Sequence, residues 1–306
     1  MQYFRTYLVL VIYVIAFLEP RNCTRIIIRR LAGASPADIG DFPYLVAVLH
    51  PEVRCTGSLI SSQWVLSAAH CAVYDRKIVK PTDMVLVAGV VDFNDTKSKT
   101  RQIRRAKSIH PHPNFEELKI AGSDIAVIKA ERPFDLNNEF VSAIRVCGTP
   151  FAINSDVACT ASGWGDTQDS NTNSKLHQLK VIAVQSKSVC HGLSTHERKN
   201  MICLRNKGGA GLCDGDSGGP LVCEDEVVGV AHQVYIEKVN YTGPSDMDCG
   251  SSTLVHTYMF VCPYLDWLRN FVPEVPKRPR KCFSLNMKVK SKAGEYYDYD
   301  IDRRRK

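Results

Sequence analysis

The sequence has few of the features that mark membrane-spanning, zinc-binding or nucleic-acid-binding proteins. Its leading apolar run, residues 8–18, has eleven residues, whereas a membrane-spanning helix needs about 20. The twelve cysteines include no C-x-x-C pair, so their spacing is not that of a zinc site. Helical periodicity is weak, the body has no internal repeat, and no nucleic-acid recognition module is visible. We therefore expect no membrane span, no bound metal and no nucleic-acid partner.

The features that are present begin with signs of export. Arg5 and the short apolar run predict a signal peptide over residues 1–18. A chain with this many cysteines suits an oxidising compartment, where disulfides persist. Asn94 and Asn240 begin N-x-Thr sequons, which the secretory route can glycosylate. The sequence therefore predicts a secreted glycoprotein.

The net charge of the chain lies in its C-terminal end. Residues 276–306 hold 11 Lys/Arg and four Asp/Glu, which accounts for the whole net charge of +7. This Pro-rich, basic composition predicts a disordered tail over residues 273–306. A solvated end is the simplest interpretation. The alternative is docking on an acidic polysaccharide or surface, because clustered Lys/Arg create a positive potential.

The body of the chain consists of short β-type runs between turn residues. Gly, Pro, Asn and Asp separate the runs, a pattern typical of an all-β sandwich or barrel. The clearest runs are residues 44–49, 64–68, 84–91, 125–129, 180–184 and 227–231. An apolar helix face is predicted near the end, over residues 263–271.

Three short motifs carry residues suited to nucleophilic catalysis. The hexapeptide 215–220 (GDSGGP) surrounds Ser217 with glycines, which let the backbone turn tightly. A serine hydroxyl needs a base beside it and N–H groups aimed at the developing oxyanion. His70 ends an apolar run in LSAAHC, and Asp124 begins one in DIAVIK. Taken singly, each is more simply a turn or structural residue. Together, in the order His, Asp, Ser, they indicate a catalytic triad.

These motifs resemble those of the chymotrypsin/trypsin family of secreted serine proteases, in a style similar to that of the insect members. The resemblance runs from about residue 31 to residue 271 and includes residues 41–46, 55–60 and 162–165. It implies a protease domain over residues 31–272. That domain would consist of two packed six-stranded Greek-key β-barrels with a short C-terminal helix, an all-β fold.

The family resemblance also assigns a role to each residue of the triad. Ser217 would attack the peptide carbonyl, His70 would take and return its proton, and Asp124 would fix the histidine tautomer. The N–H groups of Gly215 and Ser217 would form the oxyanion hole. This chemistry needs no metal and no cofactor. We expect a monomer that acts on a protein or peptide substrate, with a protein inhibitor as a candidate partner.

Relatives are made as zymogens, and this chain has a matching basic site. Residues 19–30 would form an activation prosegment, and an upstream protease would cut between Arg30 and Leu31. The new amine is expected to form an ion pair with Asp216, next to the oxyanion glycine. Arg25 is a rival cleavage site, but no glycine follows it at the right place.

Eight of the twelve cysteines match bridges that the resemblance implies. The four pairs are Cys55–Cys71, Cys159–Cys223, Cys190–Cys203 and Cys213–Cys249. The remaining four cysteines allow three connectivities. Among these, a Cys23–Cys147 bridge would tether the cleaved prosegment, and a Cys262–Cys282 bridge would fix the tail.

The residues of the expected specificity pocket depart from the family pattern. Gly211 stands where trypsin-like relatives have an aspartate that selects Lys or Arg. Val234 and His256 stand where glycines keep the pocket open, and His232 replaces a small serine beside Asp124. Two functions fit these changes. One is an active protease with narrow specificity, such as for small apolar side chains, and the intact triad favours it. The other is a weak or inactive homologue that acts as a binding or regulatory protein.

Overall fold

The computed structural model covers most of the expected protease domain. The described residues are 34–117, 122–136, 139–166, 173–205, 211–236, 251, 253–282, 287–290 and 296–299. The expected signal peptide, the prosegment with its Arg30–Leu31 site, and Asn240 lie outside them. No helix within these residues is long and apolar enough to cross a membrane.

Most of the described elements are strands. In chain order they are β1 (Ser35–Pro36), β2 (Leu45–His50), β3 (Val53–Leu59), β4 (Trp64–Ser67), β5 (Val73–Tyr74), β6 (Lys77–Ile78), β7 (Val85–Ala88), β8 (Gln102–Pro111), β9 (Ala126–Ala130), β10 (Arg145–Val146), β11 (Val157–Gly163), β12 (His177–Val184), α1 (Thr195–Arg198), β13 (Met201–Leu204), β14 (Pro220–Cys223), β15 (Glu226–Ile236), β16 (Leu254–Phe260), α2 (Leu265–Leu268), β17 (Met287–Lys290) and β18 (Tyr296–Tyr299). Two short 3-10 turns, Pro81–Asp83 and Cys262–Tyr264, complete the set.

Strands β2, β3, β4, β9, β8 and β7 pair in that order into a closed antiparallel barrel. Strand β2 (LVAVLH) shows how the sequence builds it. Val46 and Val48 pack into an apolar cluster that runs through both barrels, whereas Leu45 and Ala47 pack into a second cluster around Trp164. Successive side chains of a strand point to opposite faces, so both faces of this strand are buried.

Strands β12, β11, β14, β15, β16 and β13 form the second ring, which closes where β13 pairs back with β12. All pairings within this ring are antiparallel. Outside the ring, β1 pairs with β12, and β10 runs parallel to β15. The sequence predicted two six-stranded β-barrels and a short C-terminal helix, and the structure confirms this fold.

A bulge in the second barrel redirects two side chains. The register between β15 and β16 shifts between Ala231 and Val234. His232 and Gln233 therefore lie outside the regular ladder, and both line the cleft between the barrels. Bulges commonly re-aim a side chain beside an active site.

The C-terminal segment packs against the first barrel, where the Phe271 ring contacts those of Trp64 and His110. The predicted helix is shorter than its apolar face, because a 3-10 turn precedes α2. Beyond it, Val275 is buried, and Arg278 Nε donates to Asp266 Oδ2 at 3.0 Å. Strands β17 and β18 then pair with each other. Composition had predicted disorder from residue 273 onward. Composition takes no account of the Arg278–Asp266 ion pair and the Cys262–Cys282 bridge, which together hold residues 273–282.

Four disulfides join described cysteines. They are Cys55–Cys71, Cys159–Cys223, Cys190–Cys203 and Cys262–Cys282. Cys213 is also disulfide-bonded, while Cys249, its expected partner, lies outside the described residues.

Cys147 does not form the expected bridge to Cys23. Its thiol is free and buried, and its Sγ lies 3.2 Å from Thr149 Oγ1. Burial raises the pKa of this thiol above its ordinary value. A buried thiol of raised pKa is unreactive, and Cys23 itself lies outside the described residues.

Candidate active site

His70 and Asp124 meet at the ends of two neighbouring strands. His70 follows β4 and Asp124 precedes β9, and these strands pair at Ser67 and Ala126. His70 Nδ1 lies 2.6 Å from Asp124 Oδ2, and the His70 backbone N–H donates to Asp124 Oδ1 at 2.7 Å. Both oxygens of one buried carboxylate therefore hold the same histidine, which fixes the position and the tautomer of its ring.

A second histidine shares that carboxylate. His232 Nδ1 lies 2.6 Å from Asp124 Oδ2, the same oxygen that accepts from His70. His232 is buried, and its Nε2 has no hydrogen-bond partner. The sequence predicted that His232 would crowd or charge the surroundings of Asp124. The structure places it there as a second imidazole donor.

The carboxylate of Asp124 sets the protonation of the cluster. Burial alone would raise the pKa of Asp124, but the charge of His70 and hydrogen bonds from both histidines hold it well below its ordinary value. Burial lowers the pKa of His70, yet the charge and hydrogen bond of Asp124 outweigh burial and raise it. Asp124 is therefore ionised at neutral pH, where it stabilises a proton taken up by His70.

The same three residues offer atoms of the kind that bind metals. The ligand atoms of His70, Asp124 and His232 lie within 4.8 Å of one another. Ligands of a tetrahedral zinc ion are separated by roughly 3.3 Å, whereas both nitrogen–oxygen distances here are 2.6 Å. The set therefore fits a hydrogen-bonded network better than a metal centre. The nearby Cys55 and Cys71 are joined in a disulfide.

The loop that carries Ser217 leaves two backbone donors unused. Among the described residues, the N–H groups of Gly215 and Ser217 have no acceptor, whereas those of Asp216, Gly218 and Gly219 are hydrogen-bonded. Gly215 has φ +98° and Gly218 has φ +78°, a left-handed backbone that favours glycine. Two unused N–H groups beside a serine suit the developing charge of an oxyanion.

Ser217 and His70 line one cleft, of about 480 Å³, between the two barrels. The Ser217 carbonyl accepts the N–H of Thr56 at 2.9 Å, which ties the serine loop to the first barrel. No hydrogen bond between the Ser217 hydroxyl and the His70 ring is formed in this part of the chain. Ligand-free active sites often hold this pair loosely. The arrangement brings a serine hydroxyl, a histidine ring paired with a carboxylate and two unused backbone N–H groups to one cleft.

Asp216 is a buried carboxyl beneath the serine loop. It accepts the N–H groups of Cys213 at 3.0 Å and Gly165 at 2.8 Å. A side chain at Gly165 would overlap the carboxylate, so this close contact requires glycine. Burial, opposed by these hydrogen bonds, raises the pKa of Asp216 to about 7. A buried acid of raised pKa is suited to a cationic partner; Leu31, the expected partner, lies outside the described residues.

The floor of the expected specificity pocket is filled. His256 is fully buried, and its ring lies where a side chain at Gly211 would otherwise stand. The Leu212 N–H donates to His256 Nδ1 at 3.0 Å. Burial lowers the pKa of His256 to about 4, so the ring is neutral at pH 7. Val234 and Leu212 line the cleft above it.

The sequence patterns gave no sign of a polar link beside the serine loop. The Arg54 guanidinium on β3 pairs with Asp166 and donates to the carbonyl of Asn173 at 3.0 Å. The Asp166 N–H donates to the Asp214 carbonyl at 2.5 Å. These contacts join the first barrel to the loop that carries the oxyanion glycine. Arg54 and Asp166 are 112 residues apart, and no periodicity connects them.

Comparison with known proteins identifies the family. The Trypsin family model matches residues 31–267. The chain is 30% identical over 245 residues to serine protease SP24D of Anopheles gambiae, which covers 78% of this chain and 80% of that protein. It is 31% identical over 248 residues to anionic trypsin of Canis lupus familiaris (79% and 90% covered). It is 33% identical over 253 residues to cationic trypsin-3 of Rattus norvegicus (79% and 90% covered). The chain therefore belongs to the trypsin family of serine proteases.

Proposed function

We propose that this protein is a secreted serine endopeptidase that hydrolyses peptide bonds through Ser217, His70 and Asp124. The observation that carries the proposal is the hydrogen-bonded His70–Asp124 pair, which shares a cleft with a serine flanked by two unused N–H groups. The four disulfides of the described residues and the exposed position of Asn94 support an extracellular, glycosylated protein.

The proposed reaction proceeds in two steps. Ser217 Oγ bonds to the peptide carbonyl carbon while His70 Nε2 takes the hydroxyl proton, and the N–H groups of Gly215 and Ser217 bind the resulting oxyanion. The imidazolium, stabilised by Asp124, then protonates the leaving amine, which leaves an acyl ester on Ser217. In the second step His70 takes a proton from water, whose oxygen displaces Ser217 and releases the acid product.

Activation would follow cleavage between Arg30 and Leu31. The new Leu31 amine would form an ion pair with Asp216, whose buried carboxyl has a raised pKa and therefore gains most from a cation. Removing one partner from a buried ion pair typically costs about 3–5 kcal/mol. The uncut chain would therefore hold its oxyanion loop less firmly than the cut chain.

The second candidate function is a binding or regulatory homologue that cleaves poorly or not at all. One observation favours it: His256 fills the floor of the pocket that trypsin-like relatives use to recognise substrate. An ordered triad with a closed pocket could bind a partner without cutting it. The two functions differ in the reactivity of Ser217.

A serine-directed fluorophosphonate separates the two functions. The protein cut after Arg30 is compared with the uncut protein, a Ser217→Ala variant and an Arg30→Gln variant that resists the activating protease. Labelling confined to the cut protein that carries Ser217 supports an activatable endopeptidase. Absence of labelling despite confirmed cleavage refutes the peptidase and supports the homologue.

A further inference from the structure

We infer that His256 is a specificity-determining residue, which limits cleavage to bonds that follow a short apolar side chain. This inference rests on the proposed peptidase function and names its substrate class. It begins with Gly211, at the floor of the pocket. A side chain there would overlap Cε1 and Nε2 of the His256 ring. The ring therefore takes the space at the floor that a long substrate side chain would need.

The ring is held firmly in that position. Its Nδ1 accepts the Leu212 N–H at 3.0 Å, so that moving the ring leaves a buried backbone donor without a partner. Every residue of β16 is buried, which leaves the ring no exposed alternative. Val234 is the residue opposite His256 in the pairing of β15 with β16. Opposite residues of an antiparallel pair project to the same face, so Val234 narrows the space that His256 fills.

The chemistry of the remaining space is apolar. The aliphatic side chains that line the cleft are Leu212, Ala231, Val234 and Leu254, and two of them lie next to the ring: Leu212 donates its N–H to His256, and Val234 is opposite it across β15 and β16. Because burial lowers the pKa of His256 to about 4, the floor carries no charge at neutral pH. A lysine, arginine or carboxylate that reached this floor would meet a neutral imidazole and no opposite charge on it, which is unfavourable for a buried ion. A short aliphatic side chain of the substrate fits both the small volume and the apolar lining of this space.

The unpaired nitrogen of His256 supports a functional role for the ring. His256 Nε2 is buried and has no hydrogen-bond partner among the described residues. Native proteins leave few buried polar atoms unpaired, and these exceptions concentrate at sites of function or strain. An apolar residue would fill the same volume without this cost, but it would not accept the Leu212 N–H.

The test compares matched peptides that differ only in the residue before the cleaved bond: alanine, valine, leucine, phenylalanine or lysine. For the activated wild type, we expect kcat/KM for alanine and valine to exceed that for phenylalanine and lysine by roughly 100-fold or more. His256→Gly should raise the phenylalanine-to-alanine ratio at least about tenfold. The matched control, His256→Asn, keeps an acceptor for the Leu212 N–H and opens less space. Its phenylalanine-to-alanine ratio should therefore lie between those of the wild type and His256→Gly.

Two results would overturn the inference. One is a wild-type protein that cleaves after phenylalanine or lysine as fast as after alanine. The other is a folded His256→Gly variant with an unchanged ratio. If that variant does not fold, the wild-type peptide panel and His256→Asn decide the question.

A binding measurement separates this inference from the proposed activity. Indole is titrated into the activated wild type and into His256→Gly, and chemical shifts around Gly211 and Val234 are followed by NMR. We expect saturable binding to the variant alone. Binding of equal strength to both proteins refutes a closed floor, whether or not Ser217 reacts with the fluorophosphonate. Failure of the labelling alone refutes the peptidase and leaves the closed floor standing.

Discussion

The two walls of the cleft differ in how closely their residues match those that the family resemblance implies. We call His70, Asp124 and the loop 213–219 the catalytic wall, and Gly211, Val234 and His256 the pocket wall. The catalytic wall has the arrangement that acyl transfer needs, with a fixed imidazole and two unused backbone donors. In the pocket wall, the His256 ring takes the space beside Gly211. The fold tolerates this change because pocket side chains project into a cavity, whereas triad geometry depends on the strands themselves.

The walls also differ in how well their polar atoms are paired. Asp124 accepts three hydrogen bonds through its two oxygens, from the His70 ring, the His70 backbone and His232. By contrast, His232 Nε2 and His256 Nε2 are buried without a partner. A buried polar group left unpaired costs about 1–3 kcal/mol. Each ring therefore combines one satisfied nitrogen, bonded to Asp124 in His232 and to the Leu212 N–H in His256, with one unsatisfied nitrogen that carries this cost.

The largest expected effect comes from breaking the catalytic wall alone. Ser217→Ala removes the nucleophile, and we expect kcat/KM of the activated protein to fall on the order of 10⁶-fold. The pocket wall is untouched, so the dissociation constant of a peptide with a central alanine should change little. Steady-state kinetics and isothermal titration calorimetry measure the two quantities. Ser188→Ala, an exposed serine of the second barrel, is the control. Activity within about tenfold of wild type would exclude Ser217 as the nucleophile.

The next largest effect is expected at Asp216, which supports the oxyanion donors. Asp216→Asn cannot form an ion pair with the Leu31 amine. A loss of about 3–5 kcal/mol corresponds to a fall in kcat/KM of roughly 10²–10⁴-fold after cleavage at Arg30. Kinetics of cut wild type and cut variant measure the fall. Equal activity in both would show that the amine does not act through Asp216.

Asp216 also makes a prediction about pH and stability. Burial raises the pKa of the folded-state carboxyl to about 7, above its ordinary value of about 4 in an unfolded chain. The contribution of Asp216 to the stability of the uncut protein is therefore fully present below about pH 4, and roughly 2–4 kcal/mol of it is lost as pH rises through 7. Urea unfolding is measured at pH 4 and pH 8 for uncut wild type and for Asp216→Asn. Buried groups such as His256 titrate in both proteins, so the stability advantage of wild type over Asp216→Asn isolates Asp216, and it should be larger at pH 4 than at pH 8. Asp225→Asn, at an exposed carboxyl, should behave as wild type. An advantage of equal size at both pH values contradicts the prediction.

The sequence predicted the catalytic wall better than the pocket wall, for a physical reason. His70, Asp124 and Ser217 lie within short continuous motifs, whose local backbone places them near strand ends. The filling of the pocket depends instead on how residues far apart in sequence pair. The β15–β16 register sets Val234 opposite His256, and a bulge turns His232 towards Asp124. The substitutions were visible in the sequence, but their contacts were not.

The same limit applies to other contacts between residues that are separated in sequence. Arg54 and Asp166 meet only after both barrels have formed. Residues 273–282 are held by the Cys262–Cys282 bridge, which the sequence had offered as one pairing, and by the Arg278–Asp266 ion pair, which it had not. Local composition carries no record of such long-range contacts, so it indicated disorder there.

A smaller effect is expected at His232, where the two walls meet. His70 accepts a proton from serine only when neutral, so its raised pKa sets the acid limb of the activity profile. His232→Leu removes one donor from Asp124 and leaves the carboxylate charge to His70 alone. The pKa of His70 should then rise further, moving the acid limb to higher pH by on the order of half to one unit. His232→Asn keeps an N–H donor without an ionisable ring and should stay near wild type.

The pH profile of kcat/KM tests the role of His232 against the other groups around it. The charged or titratable neighbours are Asp124, His70, Glu117 and Asp214 at the cleft and Tyr264 beneath Asp124. Glu117 also favours the protonated form of His70, but it is unchanged in every variant compared. An acid limb that stays in place or moves to lower pH in His232→Leu contradicts a shared carboxylate. If the acid limb of His232→Asn shifts as far as that of His232→Leu, the shift reflects packing rather than the lost hydrogen-bond donor.

The smallest effect is expected at Val234, which separates the mouth of the pocket from its floor. Val234→Gly widens the entrance but leaves the His256 ring in place, so kcat/KM for a phenylalanine peptide should rise only about two- to fivefold relative to alanine. His256→Gly should raise kcat/KM for the phenylalanine peptide, relative to alanine, by a larger factor. Because the two residues are opposite each other across β15 and β16, the double variant should exceed the product of the single effects. A larger effect from Val234→Gly than from His256→Gly would place the restriction at the mouth, and the ring would then serve packing.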